Sequence, residues 1–212
     1  MAALIHSDRR TADRRLRQYF SSTRDQWIAV VKAAVAARAR CTEDNAKSAP
    51  GFHAWDAATA RSRQIFRREG WDRGDHNGIE VIVNHELKKM IAVMNTDGGT
   101  ADPMRSPRNR THKGSATERV IDLNNQYEMF RSSDVAPLTE APYSLWYICI
   151  FDDGSRVRAE LSRPSEYLAG SIVKFSERIF ILEEGDWEKV LLEPQGGDDH
   201  GGELEINVRR RF

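Results

Sequence analysis

Arg105, Arg108, Arg110, His112 and Lys113 crowd into nine residues just ahead of Ser115, and Ser115 with Glu118 three positions on has the form of a capping box opening a short helix over 116–125. Guanidinium groups grip phosphate oxygens in bidentate pairs, and the first turn of a helix adds unpaired N–H groups and the positive end of its dipole. These five residues are therefore the candidate phosphate-binding or nucleic-acid-binding site. Gly98, Gly99 and Gly114 have neither the spacing of a P-loop nor that of a dinucleotide fingerprint, and no Gly-Lys-Ser or Gly-Lys-Thr occurs.

Carboxylates and imidazole also gather upstream. Asp72, Asp75 and His76 are candidate ligands for a divalent metal ion. Glu86-Leu87-Lys88 resembles the E-x-K piece of metal-dependent nucleases. That resemblance implies a nuclease or phosphoesterase in which Asp75, Glu80 and Glu86 serve Mg²⁺ and Lys88 stabilises developing charge. His85-Glu86 does not start a zincin motif, because Lys89 stands where the second histidine is needed. Asp198, Asp199 and His200 lie in a glycine-flanked tail and read as solvated linker, and Cys149, on an apolar stretch, reads as a buried inert thiol. No serine has a nucleophile-elbow context, and no cofactor is required by the sequence.

The formal net charge is zero but unevenly spread. Fourteen Lys and Arg against seven Asp and Glu leave residues 1–70 at +7, eight against seven leave 71–119 at +1, and ten against eighteen leave 120–212 at −8. Such a dipole suits an anionic partner at the basic end, either nucleic acid or an acidic protein surface. It suits equally well a chain whose two ends neutralise each other in the fold or across a homo-oligomer. No window approaches the run of about 18 apolar residues that a membrane span needs. The opening MAALIHSDRR is too short in apolar residues for a signal peptide, and two cysteines in 212 residues fit a cytoplasmic, reduced chain.

The elements that must position these groups follow from periodicity. Helices are expected over 8–20, capped by Ser7, from a capping box of Ser22 and Asp25, and over 52–68, after a linker closed by Pro50 and Gly51. The linker is too long for a DNA-reading helix-turn-helix. WDRGDHNG reads as a loop, 79–83 and 90–94 as a hairpin, and 96–119 as the longest structureless stretch. Residues 145–161 read as the central hairpin, its first arm apolar on both faces and its turn at Asp152-Asp153-Gly154. Beyond it, 162–171 reads as a loop, 172–175 as a strand, 179–182 and 187–192 as a further hairpin, and 203–209 as an edge strand. Trp27, Trp55, Trp146 and Trp187 take core positions, with Trp71 expected to be exposed.

The expectation is an α+β chain: a basic helical subdomain over 1–70, then a β-rich acidic domain over 71–212 built as an antiparallel sheet or small open barrel, with the basic loop at 96–119. Its expected role is a non-enzymatic, protein–protein or nucleic-acid interaction module working through the arginine-rich helices and the 105–113 loop. The alternatives are the metal-dependent nuclease or phosphoesterase and a self-assembling structural protein.

Overall fold

The computed structural model describes residues 3–131 and 143–192. Each N-terminal helix begins where the chain can satisfy its first amides. α1 (Arg9–Phe20) starts on Asp8, which accepts from the Thr11 amide at 3.0 Å, one residue beyond the Ser7 cap expected. α2 (Arg24–Ala39) is opened by a reciprocal box of Thr23 and Gln26, not Ser22 and Asp25. Ser22 is buried instead and accepts from the Trp27 indole N–H at 3.0 Å. α3 (Ala49–Phe66) begins at the expected breaker, because proline's fixed φ and missing N–H suit a first helical turn. A single 3₁₀ turn (Arg67–Glu69) follows it, and Gly70 at φ +78° ends the helical run.

The strands are β1 (Leu4–His6), β2 (Asp72–His76), β3 (Ile79–Asn84), β4 (Lys89–Asn95), β5 (Ser144–Asp152), β6 (Val157–Leu168) and β7 (Ser171–Leu182). They form one seven-stranded sheet in the order β1-β7-β6-β5-β4-β3-β2. The expected antiparallel sheet or small open barrel is thus corrected to an open, mixed sheet. β4–β5 and β1–β7 pair in parallel and the other neighbours antiparallel. The β4–β5 pairing follows from the connection: α4 (Ser115–Arg131) carries the chain from the end of one strand back to the start of the next, which a tight turn cannot do. β1 and β2 hold opposite edges, so the sheet does not close.

β5 is the middle strand and divides its side chains between two cores. Trp146, Ile148 and Ile150 join Phe20, Trp27, Val30, Phe66 and other residues of α1–α3, while Leu145, Tyr147 and Cys149 meet Val120 and Ile121 of α4. The three N-terminal helices and the sheet therefore share one hydrophobic cluster.

Four further readings change. Asp72–His76 is an edge strand, closed by Asn77 (φ +54°) and Gly78 (φ +82°), the left-handed pair a two-residue hairpin turn requires. Residues 162–171 are mostly strand, because β6 runs on to Leu168 past bulges around Pro164 and turns into β7 through Ala169-Gly170. Residues 187–192 belong to a helix, α5 (Asp186–Leu192). Trp71 is 1% exposed, its ring 6.1 Å from that of Phe66. The expected strand over 203–209 and the Asp198-Asp199-His200 tail lie outside the described residues. Among the described residues no helix is long and apolar enough to cross a membrane.

Candidate functional site

The segment expected to be structureless is held from within. Arg178 of β7 and Glu160 of β6, 1% and 0% exposed, form an ion pair with Nε 2.9 Å and Nη2 2.6 Å from the carboxylate. The remaining guanidinium hydrogens go to the segment's backbone: Nη1 donates to the carbonyls of Asp102 (3.0 Å) and Arg105 (2.9 Å), Nη2 to that of Gly99 (3.0 Å). Glu160 accepts in turn from the Ala101 amide at 2.6 Å and the Ser162 hydroxyl at 2.6 Å. Asp97 closes the ring, its carboxylate accepting from the amides of Gly99 and Arg108, both at 3.0 Å.

Residues 109–113 are pinned in the same way. Asn109 donates to the carbonyls of Thr111 (2.7 Å) and Gly170 (3.1 Å) and accepts from the Ile172 amide at 2.8 Å. Arg110 N donates to Asn95 O at 3.1 Å and Lys113 N to Gly170 O at 2.9 Å. The Tyr167 hydroxyl donates to Lys113 O at 2.6 Å. The backbone that carries the basic side chains is therefore preformed.

Between this segment and the start of α3 lies a groove of about 850 Å³. Its cations are Arg38 at the end of α2, Lys47 ahead of α3, and Arg110 and Lys113; its rings are Phe52 and Trp55. Phe52 is 58% exposed. Asn95 at the end of β4 donates to Gly51 O at 2.7 Å and ties the two walls together. Arg38 lies 3.7 Å from Asp152, whereas Lys47, Arg110 and Lys113 have no ion pair among the described residues. Arg110 stacks toward Phe151, 5.7 Å from the ring centre. No side chain caps α3, so its positive end opens on this region without a protein carboxylate.

A second pocket, about 280 Å³, adjoins the groove at Trp55 and Lys113. The β2–β3 turn forms one wall, residues 112–117 another, and Tyr147 contributes from β5. Burial lowers the affinity of Lys113 for its proton and pushes the Tyr147 phenol up to about 12. Burial also raises the Cys149 thiol well above its ordinary value, which keeps it protonated and inert.

No protein-family model, curated protein or solved structure matches the chain.

Of the five basic residues singled out by spacing, Arg110 and Lys113 line the groove and His112 the adjoining pocket. Arg105 is spent inside the segment, donating to Asp102 (3.1 Å) and to Gly98 O (2.9 Å), and Arg108 is exposed with its backbone held by Asp97. The acidic candidates disperse. Asp75 caps the β2–β3 turn by accepting from the Gly78 amide at 2.8 Å, and Glu80 pairs with Arg63. Glu86 and Lys88 occupy the β3–β4 turn, Asp72 faces His85 at 3.6 Å, and His76 ends β2. Among the described residues no three His, Cys, Asp or Glu converge on a point that could hold a metal ion.

Arg38, Lys47, Phe52, Trp55 and Asn95 are site residues that spacing did not reveal. Phe52 is spaced with Trp55 and Ala58 as part of an apolar stripe, but the buried face of α3 runs through Ala54, Ala58, Ser62 and Phe66 and leaves the Phe52 ring in the first turn uncovered.

Proposed function

We propose that the chain is a binding module for single-stranded nucleic acid, holding the strand in the groove between α3 and the 109–113 segment. Phosphates meet Arg38, Lys47 and Arg110, and a base stacks on Phe52. One observation carries this reading: an exposed aromatic ring stands in a prebuilt groove among cations of which Lys47, Arg110 and Lys113 have no carboxylate partner among the described residues. Cations alone would suit any acidic surface. A ring among them favours nucleic acid, because every base offers a face to stack, and single strands bind through that combination of charge and stacking. The groove's volume is within the usual range of binding sites.

Relative to the sequence expectation, the contact surface is narrower. The guanidinium groups of Arg9, Arg10, Arg14 and Arg17 are on the exposed face of α1, and Arg15 is bound to Glu177 at 2.5 and 2.8 Å. The groove, not that face, has the aromatic ring. The nuclease alternative draws no support from Asp75, Glu80, Glu86 and Lys88, which are held apart in turns and a side-chain pair.

Fluorescence anisotropy with a labelled oligothymidine, alongside a duplex of equal length, tests the proposal. The single strand is expected to bind more tightly than the duplex and to quench tryptophan emission through Trp55. Equal affinity for both, or no binding at low salt, would overturn it.

A further inference from the structure

The pocket beside the groove contains donors that the protein leaves unused. Tyr147 is 1% exposed, and its hydroxyl, set toward Thr117 without a well-formed hydrogen bond, has no partner among the described residues. A buried phenol in that state costs about 1–3 kcal/mol relative to a satisfied one, so the arrangement is explained if something else accepts from it. The Lys113 ammonium stands 5.6 Å from the Tyr147 ring centre with no ion pair among the described residues. Gly114, Ala116 and Thr117 bring the first turn of α4 to the same space; the Thr117 amide already donates to Gly114 O at 3.0 Å, whereas the Ser115 and Ala116 amides, in the first turn, have no acceptor within the helix. The one carboxylate on the wall, Glu80, is taken up by Arg63. Glu118, the acid of α4's first turn, is exposed and does not border the pocket.

We infer that this pocket takes a phosphate monoester, the terminal phosphate of the strand whose body occupies the groove. The inference rests on the reading of the groove just given. An ammonium, a phenol hydroxyl and helix N-terminal amides make three kinds of donor around one small volume. A monoester offers three acceptor oxygens and close to two negative charges, where an internal diester offers two oxygens and one charge. Lys113, shared by both spaces, and Trp55, at their junction, make the two one continuous site in which the last nucleotide leads its phosphate inward.

The test compares oligothymidines carrying a 5′-phosphate, a 3′-phosphate or neither, with thymidine monophosphate and inorganic phosphate as competitors. A terminal phosphate at one end is expected to tighten binding by about tenfold, the size of one or two charge-assisted hydrogen bonds. That ratio should collapse to near one in Tyr147→Phe and in Lys113→Met, each checked for folding by its thermal transition. If either variant fails to fold, the other carries the comparison. Strands that bind with salt-dependent affinity but show no end preference would overturn this inference and leave the groove reading standing. Strands that fail to bind while thymidine monophosphate binds, sensitive to Tyr147→Phe, would overturn the groove reading and assign the pocket to free nucleotides. Failure of every phosphate-bearing probe would remove both.

Discussion

Arg178 and Glu160, on neighbouring strands and both closed off from solvent, form the pair on which the 97–108 segment is shaped. A buried ion pair repays its desolvation only when every remaining donor and acceptor is used, and here three backbone carbonyls, one amide and one hydroxyl complete it. The sheet thereby fixes a loop that has almost no apolar anchor of its own.

Breaking the pair from one side leaves the other charge buried. Arg178→Met is expected to lower stability by about 3–5 kcal/mol, measured by urea denaturation, and to open the 97–108 segment to limited proteolysis. Replacing both residues with methionine should recover much of the global stability but not the protection of the segment, because the Arg105 carbonyl then loses its guanidinium donor and those of Gly99 and Asp102 keep only the long backbone bonds, 3.4 Å each, from the Asp102 and Arg105 amides.

Gly99 is needed for its missing side chain. A Cβ there would lie 2.4 Å from the Ser106 carbonyl oxygen, so Gly99→Ala must push the backbone apart. A loss of about 1–3 kcal/mol in chemical denaturation is the expected result. Gly78→Ala meets no such wall and is penalised only for its φ of +82°.

Lys89 gives the fold a pH dependence on the alkaline side. Burial between Arg15 and Arg163 lowers its pKa from 10.5 to about 8, and it sits 3.9 Å from the Tyr19 ring centre. The folded state therefore binds the proton less well than the unfolded one. Stability contributed by this residue should rise as pH climbs from about 8 to 10.5, the window in which the unfolded chain still holds the proton. Thermal melts across that range should show the rise, and Lys89→Met should flatten it and be more stable at neutral pH.

Much of the architecture was legible in the residues. The double-sided alternation of β5 marked it as central, and the apolar stripes of α1, α2 and α3 fixed their inward faces. The mixed topology was not legible, because a parallel pairing depends on where α4 lays the chain down, which no local pattern in 116–125 records. β2 was hidden by its polar, exposed residues, which suit an edge strand as well as a loop. Strand β7's Arg178 looks like an ordinary solvent-facing charge in alternation, and its partner Glu160 likewise; only their meeting across two strands makes them the scaffold of the site. Arg110, His112 and Lys113 were found by spacing, whereas Arg38, Lys47 and Phe52 come to them from elsewhere in the chain.

Phe52 separates binding from folding. Its ring is largely exposed, so Phe52→Ala should leave the thermal transition within a degree or two while weakening oligothymidine binding by about 1–3 kcal/mol, the usual contribution of one stacked base. Anisotropy and calorimetry on the same preparation check both halves.

The most direct test of the groove is the salt dependence of oligothymidine binding. Each phosphate contact on a single strand contributes about −0.7 to the slope of log affinity against log salt. Alanine at Arg38, Lys47 and Arg110 together should make the slope shallower by about 2, whereas alanine at Arg9, Arg10 and Arg14 on the outer face of α1 should leave it as in the wild type. An unchanged slope in the groove variant, or a loss confined to the α1 variant, would contradict the account.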